Sequence, residues 1–317
     1  MEFEKGFKKH HNRSAYSHTF SHHLFTKFSI KVLKFLFKTF FGKRIKIAIN
    51  NYLLSNVGNP HDEIEAKKVI SHSLDHLSLT LIGCIKRIIY PQRSNNLSFE
   101  TGSIETYFEK IGIKLETEHD LEKLLSEKRG IIFVSAHLGA WEELILIGQI
   151  LNRPLHIISK RMKLSWAQYL WDRSRSQSPQ RLDRGERAKY LVKALKGGAA
   201  VADVLDQHDP KSNAFSCLFL GRPAYTSPDL ARIAVLSEAI IIPIFLIRMP
   251  QGSYQYKLKL CSAIDPLNIQ QPSLSNKDVL YQITQCCCDQ ISKIIRLYPE
   301  QWMWIHRRWK EKKNQNY

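Results

Sequence analysis

His137 and Glu142 are the two residues whose types and spacing most directly suggest chemistry. They lie in Gly130-Ile-Ile-Phe-Val-Ser-Ala-His137-Leu-Gly-Ala-Trp-Glu142. Ile131 to Val134 is short, apolar and β-branched and follows a glycine, the pattern of a buried strand. Glu142 to Leu151 reads as a helix. The histidine therefore stands where a strand ends and a helix begins, the place where open α/β sheets bind ligands. A carboxylate one and a half helical turns later can fold back onto the imidazole. That makes a general base with an orienting partner, and it needs no nucleophilic serine or cysteine. A surface histidine and an unrelated helix-end glutamate produce the same spacing, so the remainder of the chain has to decide between the two.

The elements that would position this pair alternate between strand and helix. A helical run begins at Asn59-Pro60 and continues to Ile89, before Pro91. Short helices are expected over 104–111 and 120–127, and strands over 113–115, 154–159 and 199–205. The stretch 161–187 is a polar, basic loop-and-helix segment. Lys189 to Lys196 is helical and stops at Gly197-Gly198. Strands are expected at 215–221, 240–248 and 254–261, helices at 226–236 and 276–297. The alternation argues for an α/β sandwich with a mixed, mostly parallel central sheet flanked by helices.

The composition is ordinary for a globular protein in its 44% hydrophobic and 24% charged residues, whereas the net charge of +18 calls for an anionic partner. The sequence has no helix-turn-helix, zinc-finger, RNA-binding aromatic or Gly-rich phosphate-loop signature, so nucleic acid is not expected as that partner. Residues 23–41 explain the charge better. Lys27, Lys31, Lys34 and Lys38 fall on one helical face, and the rest of the circumference carries phenylalanine and aliphatic residues. Such a helix lies in a membrane interface, with lysines at the headgroups and phenylalanines below them; the bland alternative is a core helix with a basic solvent face. A true transmembrane span would have to bury four lysines or let them snorkel. Before it, residues 1–22 read as a His-rich basic tail, and no secretory signal is expected there. The expected organisation is this tail, an amphipathic membrane-associating segment over 23–58, and a domain over 59–317.

The six cysteines include three in a row, Cys286 to Cys288, and no CxxC pair. Adjacent helical residues diverge, so the run cannot chelate one metal, and reduced, mostly buried thiols facing the cytoplasm are expected. No metal ligand set is expected: a metal-dependent hydrolase needs a second His or carboxylate cluster near the motif, and the local sequence shows none.

Several segments in order, His137-Leu-Gly-Ala-Trp-Glu142, Ala194-Leu-Lys-Gly-Gly, Leu205-Asp206-Gln207, Phe219-Leu-Gly221 through Thr226, and Pro299-Glu-Gln-Trp-Met-Trp-Ile-His-Arg-Arg-Trp-Lys310, resemble the bacterial lipid A biosynthesis lauroyl/myristoyl acyltransferases. These are a branch of the lysophospholipid acyltransferase-like group, and the resemblance spans roughly residues 60 to 312. It implies a glycerol-3-phosphate acyltransferase-like α/β sandwich at the cytoplasmic face of a bacterial inner membrane. It further implies transfer of an acyl chain from acyl carrier protein, as co-substrate and without other cofactor, to a hydroxyl of a phosphorylated, acylated glucosamine disaccharide. His137 would be the general base and Glu142 its orienter. Arg173, Arg175 and Arg184 match the family's arginine-rich segment and would meet substrate phosphates or the oxyanion. Asp206 and Gln207 would shape the site. Arg307 and Arg308 would contact an anionic headgroup or the acidic carrier protein, and Trp302, Trp304 and Trp309 would lie at the membrane interface or in the core. Ala140 departs from the family's usual Asn, the loop after Gln207 reads His-Asp-Pro-Lys, and a Gly common near Pro228-Asp229 is missing. The alternatives are an acyltransferase for another glycolipid or an aminolipid, and a non-catalytic membrane-bound lipid-binding relative.

Overall fold

The computed structural model describes residues 13–59, 61–89, 106, 108, 109, 112–117, 126–144, 151, 153–159, 164–174, 181–183, 188–250, 255–271 and 273–310. The expected helices at 104–111 and 120–127, and the body of the one expected after Glu142, lie mostly outside these residues. Residues 141–144 form only a turn.

A seven-stranded sheet forms the centre, ordered β1 (Ile113–Thr117), β9 (Tyr256–Leu260), β8 (Ile240–Arg248), β2 (Ile131–Ser135), β5 (Ala200–Val204), β3 (Leu155–Ser159) and β4 (Arg181–Asp183). Every pairing is parallel except β8 with β9, so the sheet is mixed and mostly parallel, as expected. β2 occupies the middle, paired with β5 on one side and β8 on the other. All five of its residues are buried, and eight of the nine in β8 are too. A strand covered on both faces favours apolar residues at successive positions, which is why Ile131–Val134 and Ile240–Ile247 read as continuous apolar runs. Ile132, Val134, Ile241 and Phe245 enter one core; Ile131, Phe133, Ile242 and Ile244 enter the other. This is the two-residue alternation of a pleated strand.

The first core is closed by α2 (Gly42–Leu53), α3 (Glu63–Ile89), α5 (Ala188–Lys196), α6 (Asp229–Ser237), α8 (Asn276–Leu297) and the 3-10 turn Pro299–Gln301. Ser275 caps α8 through its side chain, and apolar residues recur along its buried face, including Ile283, Cys287, Ile291 and Ile294. α4 (Ser165–Ser174) packs on α3, and α7 (Pro266–Ile269) is a short turn capped by Asp265.

Two local readings are corrected by backbone geometry. The expected helix at 226–236 begins at Asp229, because Arg222–Thr226 is β7, the antiparallel partner of β6 (Phe215–Phe219). Leu220 and Gly221 both have positive φ, the two-residue turn whose twist suits a hairpin. The basic segment 161–187 contributes a strand, β4, besides its helix.

α1 (Arg13–Phe40) divides into three sectors over its described side chains. Ile30, Leu33 and Phe37 are partly buried, and Lys34 is pinned to Asp75 of α3 at 2.8 Å. Lys27, Lys31 and Lys38 are exposed beside them, followed by an exposed apolar arc of Phe28, Val32, Phe35, Leu36 and Phe40. Among the described residues no helix is long and apolar enough to cross a membrane. α2 falls within the segment 23–58, yet it buries Ala48, Asn51 and Tyr52 in the first core. Asn51 donates to the carbonyls of Trp304 at 3.0 Å and His306 at 2.9 Å. Replacing it by leucine strands two carbonyls. Asn51→Leu is expected to lower stability by about 1–3 kcal/mol, read as a lower urea midpoint with an unchanged m-value; an unaltered midpoint would show that this tie does not hold the C-terminal segment.

Candidate active site

β2 and β5 are parallel neighbours, so their C-terminal ends emerge side by side, as their register from Ile131–Ala200 to Ser135–Val204 requires. Two residues past β2 stands His137, and two residues past β5 stands Asp206. The turn after His137 is held by its surroundings. Gly139 sits at φ +62°, where a Cβ would overlap the Leu246 carbonyl oxygen of β8, so the turn demands glycine. Its N–H donates to Gln301 O at 3.0 Å, Ala140 N donates to Leu246 O at 2.7 Å, and Met303 N donates to His137 O at 3.0 Å. Arg248, at the end of β8, donates to the Gly139 carbonyl and to Thr80 Oγ1 of α3.

Asp206 is fully buried and collects three hydrogen bonds. His137 Nδ1 lies 2.8 Å from its Oδ1; the His137 backbone N–H at 2.9 Å and Trp302 Nε1 at 2.8 Å both donate to its Oδ2. Burial pushes this carboxyl up, but the imidazole beside it and its hydrogen bonds prevail and hold it well below the usual carboxylate range. Burial pushes His137 down, and the charge and hydrogen bond of Asp206, with a smaller contribution from Glu142, prevail to raise it above an ordinary histidine. With Nδ1–H given to an ionised Asp206, Nε2 carries the free lone pair. It is 3.4 Å from Gln207 Nε2 and faces the cavity described below.

The geometry revises the expected pairing. The residue hydrogen-bonded to His137 Nδ1 is Asp206, not Glu142. Glu142 is 3% exposed and lines the same cavity, acting on the imidazole through its charge. No local spacing could reveal this, because 69 residues separate His137 from Asp206. A second histidine went unpredicted as a site member. His306 Nε2 lies 3.5 Å from Asp206 Oδ2, and its ring centroid lies 5.9 Å from that of His137. Burial, the leading influence, keeps His306 below the usual histidine value. His137, Asp206 and His306 offer ligand atoms within 4.8 Å of one another, a cluster the local sequence did not show. Asp206 already accepts three hydrogen bonds there, so its role is accounted for without a cation.

His137 opens on a cavity of about 450 Å³ lined by Leu77, Leu81, Phe133, Leu155, Ile157 and Ala202 among others, with Trp171 and with Trp141, whose ring centroid lies 5.5 Å from that of His137. That volume is in the range of small-molecule sites, ~300–1,000 Å³, and its lining is chiefly apolar. An imidazole held by a carboxylate in the wall of an apolar cavity has the chemistry to move a proton on a hydrocarbon-bearing substrate.

The sequence profile of the bacterial lipid A biosynthesis acyltransferases matches residues 19–311. The chain belongs to this family. It is therefore an acyltransferase. It is 27% identical over 261 residues to the lipid A biosynthesis lauroyltransferase of Escherichia coli (strain K12), covering 78% of this chain and 74% of that one. It is 23% identical over 253 residues to the palmitoleoyltransferase of the same organism, covering 79% and 74%. The solved structure of a 1-acyl-sn-glycerophosphate acyltransferase from Thermotoga maritima aligns over 73% of this chain and 99% of its own, at 14% identity and a TM-score of 0.38.

In this lipid A acyltransferase the other expected site residues take different places. Arg308 is fully buried: it donates to the carbonyls of Gln207 at 3.0 Å and Tyr225 at 2.9 Å and to Thr226 Oγ1 at 2.7 Å, and it stacks over Phe219. It clamps the loop behind Gln207 and has no surface left for an anionic substrate. Arg307 is exposed, and Arg173 is exposed on α4 beside Tyr169; neither lines the cavity. Arg175 and Arg184 lie outside the described residues. Trp302 and Trp304 are fully buried, which removes them from any membrane interface, and Trp309 is partly buried against the same core. Ala140 is buried in the second core, away from the cavity lining, so its departure from the family's Asn does not alter the cavity wall.

Asp206 favours imidazolium, so the free base at His137 is populated only above its raised pKa. Without the carboxylate, burial remains and pulls that pKa down. Asp206→Asn should shift the acidic limb of the kcat/KM–pH profile to lower pH and lower the plateau roughly a hundred- to ten-thousand-fold, the magnitude of a lost acid–base function. An unshifted limb at full activity would remove Asp206 from the mechanism.

Proposed function

We propose that the protein carries out a late acylation in lipid A biosynthesis, moving a fatty acyl chain from the thioester of acyl carrier protein to a hydroxyl of a phosphorylated, acylated glucosamine disaccharide. The observation that carries this reading is His137, tied through Nδ1 to buried Asp206 and placed at the mouth of an apolar cavity. The acceptor hydroxyl has a high pKa and attacks poorly until its proton is removed. His137 Nε2 takes that proton as the hydroxyl oxygen attacks the thioester carbonyl carbon. The C–O bond forms, the C–S bond breaks, and the proton passes from the imidazolium to the departing thiolate. Asp206 holds the Nδ1–H tautomer and stabilises the transient imidazolium, and Glu142 adds negative charge from the cavity wall. The transfer is direct, with no acyl-enzyme, and needs no cofactor of the protein's own. The acyl chain occupies the cavity.

The exposed surface of α1 supports a membrane location. Its exposed arc of Phe28, Val32, Phe35, Leu36 and Phe40 beside Lys27, Lys31 and Lys38 is the arrangement of an interfacial helix. Each basic residue near an anionic leaflet adds about 1 kcal/mol. Acyl carrier protein and lipid A precursor both meet at the cytoplasmic face of the inner membrane, where we place the enzyme.

Purified enzyme in detergent, given radiolabelled acyl-acyl carrier protein and lipid A precursor, should form acylated product, and His137→Ala should lose activity by roughly a hundred- to ten-thousand-fold. Equal transfer by both would end the general-base mechanism. Lipid binding by the wild type with no transfer to any glycolipid would leave a non-catalytic lipid-binding protein. The cavity assignment has a separate check. Ala202, half-buried in the cavity wall on β5, can be enlarged: Ala202→Leu should shift donor preference toward shorter acyl chains in a competition assay. An unaltered chain-length profile would place the acyl chain elsewhere.

A further inference from the structure

α4 turns two different faces to its surroundings. Gln168 and Ser174 are buried, Ser174 O accepts from Arg87 Nε of α3 at 3.2 Å, and Trp171 lines the acyl cavity. The opposite side carries Trp166, Tyr169 and Leu170, exposed by 64%, 61% and 41%, with Leu164 just before the helix exposed by 57%. Positions i, i+3 and i+4 form one stripe on a helix, so these side chains are contiguous. Among the described residues they stand exposed, without a covering element. Such a stripe on the surface of a folded domain marks a binding face. At the end of α3, against which α4 packs, Ile85 and Ile89 are also exposed, with Lys86 between them.

We propose that this face of α4 is a second membrane contact, laying Trp166, Tyr169 and Leu170 in the headgroup–acyl boundary of an anionic bilayer. Its chemistry selects this occupant. Trp and Tyr together are the side chains that settle at membrane–water boundaries, having an apolar body and a polar tip. Arg173, four residues after Tyr169 and on the same side of the helix, donates to Tyr169 Oη at 3.2 Å, so the stripe carries one cation at the polar tip of its tyrosine. Lys86 of α3 is exposed too, and in sequence Lys160, Arg161 and Lys163 precede α4 and Arg175 follows it. An aromatic face with cations on and beside it suits an anionic bilayer. With α1 as the first contact, two elements packed on α3 would then face the lipid, and the cavity behind Trp171 would open at the membrane surface. A lipid acceptor would enter from the bilayer without crossing water. That purpose rests on the proposed function; the contact itself does not.

The contact can be read from Trp166 in the full-length protein. On vesicles of phosphatidylethanolamine and phosphatidylglycerol, the difference spectrum between wild type and Trp166→Phe should shift to the blue and be quenched by brominated acyl chains. Both proteins should float with the vesicles through α1. A Trp166 component that stays at its aqueous position on floating protein overturns the proposal. So does a blue shift produced without vesicles, by acyl carrier protein or by raising the enzyme concentration, since the occupant would then be a protein. A triple variant, Trp166→Ser with Tyr169→Ser and Leu170→Ser, should keep turnover on detergent-dispersed acceptor and lose at least tenfold on the same acceptor in vesicles. Equal loss in both settings would show damage to the fold and not a membrane contact. If the wild type turns over neither acceptor, the proposed function fails while the fluorescence result still judges the contact.

Discussion

The structure depends on one buried negative charge. A carboxylate taken out of water costs several kcal/mol unless it is paired and hydrogen-bonded, and Asp206 is fully buried. Its three donors come from two distant parts of the chain, the turn after β2 and the segment after α8. Satisfying Asp206 therefore brings those segments to the end of β5, and the same act orients the imidazole proposed as the base: the donor that completes its shell is the Nδ1–H of His137. One set of hydrogen bonds serves both the fold and the tautomer of His137.

The C-terminal segment serves as scaffold for that arrangement. Gln301 reads the edge of the turn twice, its carbonyl accepting from Gly139 N–H and its side-chain amide exchanging hydrogen bonds with the Arg248 backbone. Ser73 of α3 donates to Trp302 O, Asn51 of α2 holds the carbonyls of Trp304 and His306, and Arg308 fastens the strand-end loop bearing Gln207. Trp302, Trp304 and Arg308 of this block are thus internal: they fill the first core, while Trp302 Nε1 ties the Asp206 carboxylate and Trp304 and Arg308 tie backbone carbonyls. A motif rich in Trp and Arg resembles a membrane or anion contact by composition, yet the complete burial of these three decides otherwise for them.

The surface is organised to the same end. The cavity beside His137 is chiefly apolar, and α1 and α4, both packed on α3, leave apolar side chains in solvent next to lysine and arginine. That exposure, in a chain of net charge +18, is what the two proposed membrane contacts rest on.

Much of this was legible in the residues. Continuous apolar runs mark β2 and β8 because strands covered on both faces favour apolar residues, and the spacing of apolar residues and caps marks α3 and α8 nearly to the residue. The position of His137 just past the end of a buried strand follows from the same local pattern, and the order of the motifs identifies the family. What the local pattern could not supply was the partner. Spacing put Glu142 within reach of His137, but parallel pairing of β2 with β5 put Asp206 there, 69 residues on, and buried it. Likewise only packing could separate Arg307, in solvent, from its neighbour Arg308, wholly enclosed, or send Trp302 and Trp304 inward and Trp166 outward. Periodicity along a chain records which face of an element is apolar. Which two faces meet, and which side chain is left in water or lipid, is decided only when distant elements compete for the same space.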